Sequence, residues 1–131
     1  MTPSAIAAAV EAYFKTGMAA YPIAWPNVTF TAPNGSWVAY NMHLSNTEDG
    51  EIGDDGLTVR RGVLKIQVFT LPNIGTRTGL GIAGTVEGLF TRKNISGVEF
   101  ENPYTTDNGI TPDKVWQQHT VTCPFWAWAN E

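Results

Sequence analysis

A single thiol, two imidazoles and a small set of carboxylates are the groups in this 131-residue chain whose types can do chemistry. Cys123 is the natural nucleophile, and His119 falls on the same strand face. Four residues of extended chain separate the two by about 13 Å, beyond the reach of a Cys–His pair. His43 sits in another segment, and nothing in the spacing ties it to either residue. A lone cysteine in an aromatic strand reads as a small apolar core group. Glu48, Asp49, Glu51, Asp54 and Asp55 crowd into "SNTEDGEIGDDG". Hard cations take such oxygens, but the run lacks the D-x-[DN]-x-[DN]-G order that wraps alternating ligands around one calcium. Glu99 and Glu101 flank Phe100, roughly 7 Å apart on one side of a strand. That is within the range of paired glycosidase carboxylates, and it is also the plain pattern of a strand's wet face. Trp126 and Trp128 share one side of the terminal segment if it stays extended. They suit a sugar-stacking platform, a core, or an anchor on a partner subunit. Walker, dinucleotide, zinc and Ser-centred motifs are lacking. The expectation is a protein that is not an enzyme, with no metal site and no cofactor.

The elements that position these groups are legible from periodicity. "MTPSAIAAAVEAYFKTGM" is a helix with Thr2 as cap, Pro3 at its first position and Gly17 as its stop. Ile6, Ala9, Val10, Tyr13 and Phe14 form its apolar stripe. "YPIAWPNVTFTAP" has prolines at 22, 26 and 33 and reads as an extended arm pinned by Ile23, Trp25, Val28 and Phe30. "WVAYNMHL" alternates, with Val38, Tyr40, Met42 and Leu44 on one face. "RRGVLKIQVF" alternates too, with Leu64, Ile66 and Val68 inward and Val63, Lys65, Gln67 and Phe69 outward. The acidic, glycine-rich loop joins these two strands into a long hairpin. "GTRTGLGIAGTVEGLF" is a second helix, with Thr76 as cap and Leu80, Ala83, Val86, Leu89 and Phe90 as its stripe. Its glycines at 79, 81, 84 and 88 cost roughly 1 kcal/mol each relative to alanine, which implies close approach to the sheet or to a neighbouring subunit. "GVEFEN" is a short strand, "PYTTDNGITPDK" a loop, and "VWQQHTVTCPFWAW" a closing strand broken at Pro124. The order is α+β, a mostly antiparallel sheet with two helices packed on one face. The chain reads as a single domain over residues 1–131.

Charge narrows the function. The net charge is −4, against the phosphate neutralisation a nucleic-acid binder needs. Only 15% of residues are charged, where a soluble domain carries about a quarter, so neutral polar side chains or partner subunits must cover the deficit. One cysteine fits a reducing cytoplasm. The N-terminal segment lacks a basic region and is interrupted by Glu11, which is not a signal-peptide pattern, and no run is long enough to cross a membrane.

Taken in order, "YPIAWPNVTFTAP", "RRGVLKIQVFTLP", "GTRTGLGIAGTVEGLF" and "VWQQHTVTCPFWA" resemble the tail terminator-like proteins of tailed bacteriophages. The resemblance covers nearly the whole chain, with a more glycine-rich helix and a longer acidic loop than the pattern. It implies a structural virion protein assembled in the host cytoplasm. Such proteins form a ring, typically of six subunits, on the last ring of the tail tube. The ring halts tube growth and joins the head-completion (neck) proteins, and DNA passes through its central channel without specific binding. On that reading Glu48, Asp49, Glu51, Asp54, Asp55, Arg60, Arg61, Trp126 and Trp128 are the subunit or partner interface. The alternatives are another ring-forming neck or head–tail joining protein, and a monomeric carbohydrate-binding module using Trp126 and Trp128.

Overall fold

A computed structural model describes residues 1–49, 58–72 and 77–129. Helix α1 spans Pro3–Gly17. The Thr2 hydroxyl accepts from the Ala5 N–H at 3.1 Å, and the Met18 N–H bonds back to the Phe14 carbonyl. Ile6, Val10 and Phe14 are its fully buried face. Strand β1 (Ile23–Ala24) follows, then β2 (Trp37–Asp49), β3 (Thr58–Thr70), helix α2 (Arg77–Phe90), β4 (Asn94–Ile95), β5 (Val98–Phe100), β6 (Tyr104–Ile110) and β7 (Gln117–Trp128). The strands form one sheet in the order β1-β2-β3-β7-β5-β4, and β6 also pairs with β7. Every pairing is antiparallel except that of β1 with β2. The α+β expectation holds in this respect: two helices, a mostly antiparallel sheet, and ring contacts such as Phe14 to Tyr40 that seat the helix layer on it. The expected tip of the acidic hairpin loop lies outside the described residues.

Burial follows the alternation of the strands. Val38 and Tyr40 of β2, with Leu64, Ile66 and Val68 of β3, lie in the core. So do Val121, Cys123, Phe125 and Ala127 of β7, together with Phe14, Val86 and Phe90 from the helices. Burying each of the larger side chains contributes roughly 1.5–3 kcal/mol.

Several local expectations are corrected. The segment 103–114 is not a loop throughout. Tyr104-Thr105-Thr106 has strand-forming side chains, and it pairs with Thr122, Val121 and Thr120 of β7 before a bulge between Asp107 and Gly109. Strand β7 does not break at Pro124. Its partner on one edge changes there from β6 to β5, with Tyr104 opposite Thr122 and Phe100 opposite Phe125. The Pro124 carbonyl accepts from the Glu101 N–H at 3.0 Å on that same edge, so the missing N–H falls in the gap between two partners. In the arm, Val28 is not a pin but is 61% exposed, and Ile23–Ala24 forms an edge strand. In α2 the buried face is Gly79, Ile82, Ala83, Val86 and Phe90, whereas Leu80 is half exposed. Thr76, the expected cap, lies outside the described residues. The strand β2 continues through Ser45–Asp49, residues expected to lie in the loop.

Candidate functional site

Among the described residues the sheet's second face carries no helix, and the registers show what stands on it. At one end, Trp37 of β2 is opposite Phe69 of β3, and their rings stack with centroids 4.1 Å apart. Trp116 meets Trp37 edge-on at 5.8 Å, and Phe30 lies at 4.9 Å. The middle is polar, with Asn41 opposite Lys65 and Lys65 opposite Thr122. At the hairpin end, one row crosses five strands: Asn46, Arg61, Trp126, Glu99 and Asn94. Trp128 stands one step further along, opposite Val59. Four of the five tryptophans therefore occupy the face that the helices leave uncovered, and only Trp25 packs with the helix layer, against Phe14 and Tyr40.

Arg60 and Arg61, adjacent in sequence, point to opposite faces. Arg61 belongs to the open face, where its guanidinium lies 3.9 Å from the Glu101 carboxylate, both side chains about half exposed. A pair so placed contributes under about 1 kcal/mol. Arg60 turns to the helix side and is partly buried. Its Nε donates to the Met1 carbonyl at 3.3 Å, and a terminal nitrogen donates to the Thr47 hydroxyl at 3.4 Å. A bulge at Ser45 sets this geometry, since Leu44 pairs with Gly62 and Asn46 with Arg61. Gly62 accommodates it, because a Cβ there would stand 2.6 Å from both the His43 carbonyl and the Phe125 ring.

Trp126 and Trp128 do share a side, with centroids 5.3 Å apart and planes at 86°. The rings are edge-to-face, so they do not offer one flat platform. Glu48 and Asp49 end β2, opposite Val59 and Thr58. Glu51, Asp54 and Asp55 lie outside the described residues. Glu99 and Glu101 have ordinary polar partners: the Asn94 amide donates to Glu99 at 2.5 Å, and Arg61 lies beside Glu101. Glu99 and Asn94 join this row only through pairing with strands distant in sequence, which alternation within one strand does not reveal.

The thiol is not poised for chemistry. Cys123 is fully buried, and burial, with a smaller contribution from Glu87, pushes its pKa up to about 12. His119 is also fully buried, with neither ring nitrogen hydrogen-bonded among the described residues. Its Nε2 is 3.9 Å from an Asp107 oxygen. Among the described residues no cluster of three metal-ligating side chains occurs, and no helix is long and apolar enough to cross a membrane.

The profile of a protein family described as phage tail terminator protein matches residues 5–125. The chain belongs to the phage tail terminator family. A solved structure covering 100% of this terminator, and matched over 98% of its own chain, superposes with a TM-score of 0.65 at 22% identity, a likeness of fold. No match is found among curated proteins. The tail terminator is thus a structural protein of the phage tail.

Proposed function

We propose that this chain forms a ring, of six subunits, that caps the phage tail tube, stops tube polymerisation and provides the joint to the head-completion proteins. DNA then crosses the central channel without specific binding. The family match over residues 5–125 carries the reading. Two physical features support it. Charged residues are scarce, at 15% of the chain, and the uncovered sheet face holds four of the five tryptophans. Both suit a subunit that buries much of its surface against other proteins.

The acidic run has one of two roles in such a ring. Its carboxylates pair with arginines of the adjacent subunit, Arg61 above all because it faces outward, or they line the channel and repel DNA. Asp54→Asn with Asp55→Asn separates the two: assembly weakened at low salt supports pairing, and unchanged assembly at low salt leaves the channel role. The main test adds the purified chain to polymerising tail tube protein and measures tube lengths by negative-stain microscopy. Growth should stop, with density at one tube end. An unaltered length distribution would reject the cap, and binding to finished heads without effect on tubes would point to the neck-protein alternative.

A further inference from the structure

Two Asn-Gly pairs fall among the described residues, and the structure treats them oppositely. Asn34–Gly35 lies in the bend between the arm and β2, and Asn108–Gly109 lies at the bulge of β6. Both asparagines are exposed, and an added Cβ at either glycine would meet no atom within 4 Å, so access does not separate them. Hydrogen bonding does. The Gly109 N–H donates to the Asp107 carboxylate at 2.9 Å, and the Asn108 side-chain oxygen accepts from the Thr120 hydroxyl of β7. Among the described residues, neither the Asn34 side chain nor the Gly35 N–H has a hydrogen-bond partner. Sheet pairing resumes only beyond them, where Trp37 stands opposite Phe69 and the Val38 N–H reaches the Pro22 carbonyl at 3.0 Å.

We propose that Asn34 is a site of spontaneous deamidation through a cyclic imide, and that Asp107 holds Asn108 back from the same reaction. The Gly35 amide nitrogen gives its proton to solvent base and bonds to Cγ of Asn34. The Cγ–Nδ2 bond breaks, the leaving nitrogen takes a proton from water, and ammonia departs from a closed succinimide ring. Water then opens the ring. Attack at the Cγ carbonyl gives aspartate, and attack at the main-chain carbonyl gives isoaspartate, whose chain runs through the former side chain. The sum is asparagine plus water to a carboxylic acid plus ammonia, so solvent supplies every reactant. Three features choose between the sites. Glycine alone presents its nitrogen with no Cβ beside it. The other described asparagines precede Val28, Met42, Thr47, Ile95 or Pro103, whose side chains crowd that nitrogen or, at Pro103, remove its N–H. Closure also turns the asparagine main chain toward its own side chain. No ladder resists that turn at Asn34, whereas at Asn108 it strains the flanking pairs Asp107–His119 and Gly109–Gln118. Finally, the attacking nitrogen must leave its acceptor. Breaking the bond from Gly109 to a carboxylate slows closure by about ten- to a hundredfold. The Thr120 hydroxyl polarises the Asn108 amide, which favours attack, but it also holds that amide against β7. Conversion at Asn34 takes the net charge of −4 one unit lower, on the turn between arm and sheet. The packing on either side, Phe30 on Trp37 and Ile23 alongside Val38, does not pass through the altered bond, so the fold survives the change.

Timed incubation of the purified full chain in warm, mildly alkaline buffer tests this, at a protein concentration where no assembly is present. Peptide mass spectrometry should show Asn34 becoming a mixture of aspartate and isoaspartate about ten- to a hundredfold faster than Asn108. Ion exchange should resolve the product as a more acidic species that is still folded by circular dichroism. In concentrated urea the two sites should convert at similar rates, because the bonds that distinguish them are gone. Gly35→Ala should fold as the wild type does, since Gly35 is outside the left-handed region and its added carbon meets nothing, and it should nearly stop conversion at Asn34. Asp107→Ala should speed Asn108 and leave Asn34 unchanged. Asp107→Asn, which keeps a weaker acceptor, should fall between and serves if the alanine variant folds poorly. Equal rates at the two sites in the folded chain, or an Asn34 no faster in the wild type than in Gly35→Ala, would overturn the proposal. An Asn108 rate that neither Asp107 variant moves would overturn the part given to the carboxylate.

Discussion

Replacing Gly79 by alanine sets two opposed effects against each other at one atom. Gly79 lies in the first turn of α2 and is buried, and a Cβ built there stands 2.6 Å from both Cε1 and Nδ1 of His119. The imidazole has nowhere to retreat. His119 is 0% exposed, and its backbone is held on both sides, by Val68 of β3 and Asp107 of β6. Relief therefore requires α2 to lift, which loosens Ile82, Ala83, Val86 and Phe90 against the sheet. Overpacking of this kind costs about 1–3 kcal/mol, and alanine's better helix propensity returns at most about 1 kcal/mol. The net expectation is a loss of about 1–2 kcal/mol. Gly84→Ala is the matched control, exposed and with nothing within 4 Å of its added carbon, so it should gain up to about 1 kcal/mol. Urea unfolding followed by tryptophan fluorescence, at a protein concentration where no assembly is present, measures both. With an m-value of about 1–3 kcal/mol/M and a difference of about 1–3 kcal/mol, the two midpoints should separate by roughly 0.3–3 M, with Gly79→Ala the lower. A Gly79→Ala variant as stable as Gly84→Ala would refute the close approach of helix and imidazole.

Gly81→Ala and Gly88→Ala should likewise raise monomer stability by up to about 1 kcal/mol each, since neither added carbon meets an atom within 4 Å. If these variants fail to form rings although their monomers are more stable, the glycines serve a subunit contact. Leu64→Ala, at a fully buried position of the central strand β3, should cost about 2–5 kcal/mol in the same unfolding assay. The Cys123 thiol, raised by burial from 9.0 to about 12, stays protonated in the folded chain at neutral pH, so alkylation should proceed only at the rate of unfolding. The raised value favours the folded state fully below pH 9.0, and that contribution is lost as pH climbs through about 12; Cys123→Ala should shrink this alkaline fall, and what remains belongs to Tyr40, whose phenol burial also raises. The Asp113 carboxylate accepts from the Thr111 hydroxyl and the Val115 N–H, which lowers its pKa from 3.8. Its contacts should hold above that ordinary value and fade as pH falls through the depressed one. Carbon NMR titration should show this midpoint, and Thr111→Val should move it back up; an unmoved midpoint would count against the hydroxyl's role.

The parts of the fold that repeat locally were readable before any coordinates. Thr2, Pro3 and the Ile6–Val10–Phe14 spacing specify α1, and the alternation around Leu64, Ile66 and Val68 specifies the core face of β3. What escaped depends on contacts between distant segments. Leu80 outranks Gly79 on any hydrophobicity scale, yet Gly79 faces the sheet, because only a residue without a side chain fits over His119. Tyr104–Ile110 resembles a loop for its Asn-Gly pair and its exposure, and it becomes a strand because β7 supplies a partner along its length. Arg60 and Arg61 look equivalent in sequence, and it is their alternation along β3, fixed in register by the Ser45 bulge, that sends one to the helix side and the other to the open face.

The strand β7 sorts its side chains unevenly between the two faces of the sheet. Along it, His119, Val121, Cys123, Phe125 and Ala127 are buried. The intervening positions on the other face are Thr120, Thr122, Pro124, Trp126 and Trp128. Volume is therefore inverted at the end of the strand. Ala127, among the smallest side chains, is fully buried, while the two largest stand on either side of it facing away from the core. Packing on the helix side suits the alanine: Ala127 is opposite Arg60, whose Nε donates to the Met1 carbonyl at 3.3 Å. It does not account for two tryptophans outside, flanked by Arg61, Glu99 and Asn94 in one continuous row. Large aromatic side chains ringed by polar groups on an otherwise charge-poor chain are the composition of an interface centre and rim.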